Sequence, residues 1–123
     1  MGKKALLRPE IETSIEHSNE NEVFQNKVLR PIIKLQHQLL IALTKQKINS
    51  LQINFQELSK EKQRITIENL TLKDLNFKAT LIGVIVGLFE SNEIDFYLSK
   101  QKEINKRILL IIQKRLNENR DQF

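Results

Sequence analysis

Two histidines, His17 and His37, are the only side chains of this 123-residue sequence whose ordinary pKa lies near neutrality. His17 stands beside Glu16. His37 lies between Gln36 and Gln38, and no Asp or Glu occurs from residue 23 to residue 56. A general base needs a partner that orients it, and a protein zinc site needs three or four ligands held together. Each histidine therefore reads as an ordinary, partly exposed side chain. The acid pairs Glu10/Glu12 and Glu90/Glu93 could bind a cation or exchange protons. Surface carboxylates at such spacings are common, and Glu90 and Glu93 flank Ser91, where a helix N-terminus favours negative charge. The sequence has no cysteine, which removes thiolate nucleophiles, disulfides and Cys-based zinc sites. Its three glycines, Gly2, Gly83 and Gly87, form no phosphate-cradling loop, and no serine sits in a nucleophile elbow. No catalytic residue, metal site or cofactor is expected, and the balance leans away from an enzyme.

Charge is distributed unevenly. Residues 1–22 and 57–95 each carry a net charge of −2, residues 23–56 carry five bases and no acid, and residues 96–123 carry +4, for +5 overall. Lys27, Arg30 and Lys34 follow one another at steps of three and four, which makes a ridge on one helical face. Lys106, Arg107 and Lys114, with Lys100 and Arg115, supply a second basic surface. Were the two helices neighbours, these residues would make one positive patch, the electrostatic footprint of a nucleic-acid partner. No helix-turn-helix, RNP-type or zinc-finger motif accompanies them.

The elements that must position these residues are helical. With 40% apolar and 28% charged residues and few glycines or prolines, the composition is that of one globular domain. Residues 1–21 read as an irregular or partly helical arm, 22–119 as a single helical domain, and 120–123 as a tail. Asn19 with Glu22 has the spacing of an N-cap with an N3 carboxylate. The stripe Phe24, Val28, Ile32, Leu35, Leu39, Leu43 then has helical period. Pro31 interrupts it, predicting either a kink or a helix that ends at Leu29, with Arg30 pushed out of the helical region. Lys47 to Ser59 reads as a connection turning at Asn49-Ser50, with Leu51, Ile53 and Phe55 alternating as in an extended segment. Ser59 is a plausible N-cap. For residues 60–73 a hairpin turning at Glu68-Asn69 competes with a helix, and the helix is preferred because Glu-Asn is a poor hairpin turn. Asp74 caps a helix from Leu75 to Phe89, in which Gly83 and Gly87 share a face that admits a second backbone closely. Ser91 caps the last and longest helix, from Asn92 to about Asn119, with Ile94, Tyr97, Leu98, Ile104, Ile108, Ile111, Ile112 and Leu116 as its stripe. The predicted class is all-α, a small bundle of four or five helices.

The segments Phe24-Gln25-Asn26, Leu29-Arg30-Pro31-Ile32 and Leu58-Ser59 with Glu61-Lys62 resemble those of a family of small bacterial proteins. So do Ile67-Glu68-Asn69, Lys73-Asp74, Phe77 and the Gly83/Gly87 pair, and the likeness covers roughly residues 22–118. The resemblance implies a helical fold and no established function, together with the label "glyoxalase" that the family often carries. It supplies no functional residues. Glyoxalases built on paired βαβββ modules hold a divalent metal with His and Glu on strands, which His17 and His37 do not reproduce, and the cysteine-dependent kind needs a thiol. A glyoxalase-type lyase is therefore the third and least favoured reading.

The first reading is a helical interaction or self-association module. Leu39–Leu43, Leu81–Phe89 and Leu109–Ile112 are each apolar on more than one side, more than a domain this small readily hides. Gly83, Gly87, Leu109 and Ile112 are the candidate packing or partner face, and a homo-oligomer or a protein partner is expected. A small basic nucleic-acid-associated protein, acting through Lys27, Arg30, Lys34, Lys106, Arg107 and Lys114, is the alternative. The longest apolar run, Leu81 to Phe89, is far short of the ~20 residues that span a bilayer, and no secretory signal opens the sequence. No membrane partner and a cytoplasmic location are expected.

Overall fold

Asn19 begins the part of the chain that the structure, a computed structural model, describes, residues 19–123. Most of the arm, with His17 and the Glu10/Glu12 pair, lies outside the described residues. The Asn19 Oδ1 accepts from the Glu22 N–H at 2.8 Å, capping α1 (Glu20–Phe24) as its spacing predicts. A π-helical turn (Gln25–Leu29) follows, then α2 (Arg30–Leu35). Here the structure corrects one of the two alternatives at Pro31, the helix end, and the expected displacement of Arg30. The helix does not stop at Leu29, and Arg30 keeps helical angles (φ −62°, ψ −45°), its N–H bonding the Gln25 carbonyl five residues back. Proline has no N–H to donate and crowds the carbonyl four residues before it. The wider turn accommodates both without ending the helix.

The break falls instead at Gln36 (φ −89°, ψ 11°), before α3 (His37–Ser50). Gln36 donates its side-chain N–H to the Val84 carbonyl at 3.2 Å. Leu35, just before the break, and Leu39, just after it, are exposed where the stripe predicts burial, while beyond the break Leu40, Ile41, Thr44 and Ile48 point inward. α3 runs through Asn49-Ser50, which is helix and not the turn expected there. The turn comes at Gln52, whose φ of 59° is left-handed. The Ile53 N–H reaches the Ile48 carbonyl and the Gln52 N–H the Asn49 carbonyl, closing the helix as a Schellman motif.

Phe55 is buried in a short 3₁₀ turn (Phe55–Glu57), and its ring meets that of Phe123 edge to face at 5.7 Å. Residues 120–123 are thereby docked: Gln56 donates to the carbonyls of Arg120 and Phe123, and Arg120 to that of Lys60. Residues 60–73 resolve as helix: α4 (Lys60–Leu72) starts at Ser59, whose hydroxyl accepts from the Lys62 N–H. α5 (Leu75–Val86) is capped by Asp74 as expected but ends three residues before Phe89.

The last long helix is two. α6 (Ser91–Ser99) and α7 (Gln101–Asn117) meet at Lys100 (φ −137°, ψ 35°). The cap of α6 is Glu90 and not Ser91, in a capping box with Glu93, whose carboxylate accepts from the Glu90 N–H at 2.7 Å. α7 remains the longest helix and forms the centre of the bundle. Its Ile104, Ile108, Ile112 and Leu116 are fully buried, and its most extensive contact is with α4, then with α5. At one end Phe24, Phe89, Phe96 and Tyr97 form an aromatic cluster with centroids 4.8–5.5 Å apart. The described residues are all-α, without strands, and no helix among them is long and apolar enough to cross a membrane.

Candidate functional site

The expected partner residues separate cleanly. Leu109 and Ile112 belong to the core at 5% and 0% exposure, while Leu110 between them is exposed at 45%. Gly83 and Gly87 are exposed. They lie on the outward face of α5, where Leu75, Ala79, Gly83 and Gly87 follow at steps of four, with Asn76 and Thr80 beside them. None of these exposed positions is charged. Leu75 is 77% exposed, the highest value among the chain's large exposed apolar side chains.

The glycines do not bring another backbone of this chain close, as their spacing suggested they would. A Cβ added at Gly83 would meet nothing within 4 Å, whereas one at Gly87 would meet the Gly83 carbonyl at 3.1 Å. Crowding within the helix thus accounts for Gly87. Nothing among the described residues accounts for Gly83, where glycine costs about 1 kcal/mol of helix stability relative to alanine. The same face extends to α3. Leu43, Gln46, Lys47 and Ser50 line a furrow of about 270 Å³ with Asn76, Phe77 and Thr80, and exposed Leu39 lies one turn from Leu43, between it and the Gln36–Val84 bond. Asp74 fixes one end. It accepts from the Phe77 N–H at 3.0 Å and pairs with Lys47 at 3.0 Å, and these contacts, the backbone bond foremost, hold its carboxyl below the usual range.

The six basic candidates do not form one patch. Arg30 and Lys114 line one cavity with Arg115, and Arg107 lies one helical turn beyond Ile111 on the same side of α7. Lys106 faces the other way, into a groove of about 450 Å³ with Lys78, Lys102, Leu72, Ile82 and Leu110. Lys27 lines a third cavity, with Phe24 and Phe96. Lys34 is exposed and lines none of these. The π turn and the width of α7 together spread the ridge over several directions. Sequence reasoning missed the partnership of Arg115 with His37, which are 3.2 Å apart across 78 residues, and spacing along the chain carries no signal for it.

Among the described residues no group of His, Asp or Glu is placed to hold a metal ion. No family model, curated protein or solved structure matches this chain, so the functional reading rests on geometry.

Proposed function

We propose that the protein is a helical self-association module whose contact surface is the outward face of α5. One observation carries this reading: Gly83, in mid-helix, opens onto solvent in the middle of a stripe of α5 with no charge, and the Lys47–Asp74 pair at its end neutralises itself. Small residues at four-residue steps let two helices approach closely. A second copy is the fitting occupant because two-fold pairing sets a surface against itself, where like charges would repel. Much of the remaining surface of this +5 chain would resist that pairing; this face does not. Leu39 and Leu75 would flank the crossing and bury on contact, each adding about 1 kcal/mol or more as it leaves water.

A nucleic-acid-associated protein is the second reading, supported by Arg30, Arg107 and Lys114 lying on one side of the molecule. Salt separates the two, because phosphate binding weakens steeply as counterions are retained at high salt and apolar association persists. Sedimentation equilibrium at low and high salt is the experiment. The proposal expects twice the 14.5 kDa chain mass at both, and a monomer in Gly83→Glu with unchanged helicity. A wild-type monomer at all concentrations, or a Gly83→Glu variant that still dimerises, contradicts it.

A further inference from the structure

Three arginines on one side of the bundle are held in place by neutral acceptors. Arg107 donates to the Gln25 side-chain carbonyl at 2.8 Å, Arg30 through Nε to that of Asn26 at 3.1 Å, and Arg115 to Nδ1 of His37 at 3.2 Å. In the last contact Nδ1 must be the unprotonated, accepting nitrogen, because a guanidinium has no lone pair to offer. None of the three forms an ion pair among the described residues. Arg64 shows the contrast: Glu61 and Glu68 hold it at 2.6 Å each and neutralise it. A neutral partner fixes the direction of a guanidinium while leaving its full charge and its remaining N–H donors for another group.

Arg30, Lys114 and Arg115 converge on a cavity of about 180 Å³, whose other walls are Ile111, Glu118 and Asn119. Pockets for whole small molecules run from about 300 Å³ upward, so this one suits a head group. Arg107 stands eight residues from Arg115 along α7, about 12 Å at helical rise. Carboxylates bound this stretch on both sides. Glu103 precedes Arg107 and is held by the Asn21 side-chain N–H at 2.6 Å, and Glu118 follows Arg115. A long polyanion laid along α7 would meet both acids, whereas a compact one in the cavity meets Glu118 alone, against three bases.

We infer that this cavity binds a phosphate or diphosphate group of a small molecule. Arg30, Lys114 and Arg115 contact its oxygens, and Arg107, beyond Ile111, adds positive charge to the approach. Arginine forks match phosphate oxygens in pairs, and charge-assisted bonds of this kind are about twice as strong as neutral ones. The site shares no residue with the face of α5, and its fate is independent of the self-association proposal.

Isothermal titration with inorganic pyrophosphate, ADP and a single-stranded oligonucleotide at matched ionic strength tests it, with thermal unfolding as a second readout. Pyrophosphate and ADP should both bind and raise the melting temperature, since a ligand of the folded state alone stabilises it. Arg30→Gln and Arg115→Gln should each weaken binding by about tenfold or more, and Lys34→Gln should leave it unchanged. Lys114→Gln, whose parent side chain makes no hydrogen bond or ion pair among the described residues, should also weaken it and guards against misfolding of the arginine variants. No heat with pyrophosphate, undiminished binding in Lys114→Gln, or tighter binding of the oligonucleotide than of pyrophosphate would each overturn the assignment.

Discussion

The Tyr97 hydroxyl donates to Oδ1 of Asn105 at 2.6 Å, a bond that spans the break between α6 and α7. With it, the Lys100 N–H bonds the Tyr97 carbonyl at 3.0 Å, closing the end of α6. The break sets the direction in which α6 leaves the bundle and seats the Tyr97 ring against Phe89, 5.5 Å between centroids. Tyr97→Phe keeps the ring and deletes the bond. We expect it to lower unfolding stability by about 1 kcal/mol, read from urea denaturation, with helix content unchanged.

Gln52 holds a left-handed conformation (φ 59°) that L-residues other than glycine adopt at a cost of about 1–2 kcal/mol. Gln52→Gly should therefore stabilise the protein, by somewhat less than that because glycine also gains freedom in the unfolded chain. Gln52→Val should destabilise it. Chemical denaturation of the pair gives the signs directly.

Leu39 and Leu40 test the phase of α3. Leu40 is fully buried and Leu39 is 43% exposed. Leu40→Ala should cost about 2–5 kcal/mol of folding stability. Leu39→Ala should leave folding within about 0.5 kcal/mol, measured on dilute protein, and should weaken dimerisation instead.

Much of the bundle was legible because caps and apolar steps are local. Asn19, Ser59 and Asp74 start their helices as their side chains dictate, and Ile67 and Leu70 resolve residues 60–73 as helix because their three-residue step faces both toward α7. What escaped was set by contacts distant in sequence. The breaks at Gln36 and Lys100 carry neither glycine nor proline; they are held by the Val84 carbonyl in one case and by Asn105 in the other. Leu39, past the first break, and Leu98, before the second, face water although their spacing places them in the core. Gly83 and Gly87 were legible as sharing one helical face, but their exposure was not, and the split of the basic ridge depends on the π turn before Pro31, which relocates Arg30 relative to Lys27.

Asp74 ties the start of α5 to α3 through Lys47, and its carboxyl is held below its ordinary value chiefly by the Phe77 N–H and then by Lys47. A depressed folded-state value means that this stabilisation is present above the unfolded carboxyl's pKa of about 3.9 and is lost as pH falls through the lower folded value. Asp74→Asn should therefore be less stable than the parent at pH 7. The difference should shrink below about pH 4 as the parent's carboxyl gains its proton. Urea midpoints of both proteins across that range check the sign.

The face of α5 can be interrogated covalently, because the chain contains no cysteine of its own. Ala79→Cys places one thiol on the proposed contact, one helical turn from Gly83, and Glu118→Cys places one just past the end of α7, outside that face. Two-fold pairing about Gly83 brings the two copies of residue 79 within about 12 Å whether the helices run parallel or antiparallel, inside the span of a bifunctional thiol cross-linker. With such a reagent, at a concentration where the parent is dimeric, Ala79→Cys should convert to covalent dimer and Glu118→Cys should not. Equal cross-linking of both variants, or of neither, would contradict pairing through this face.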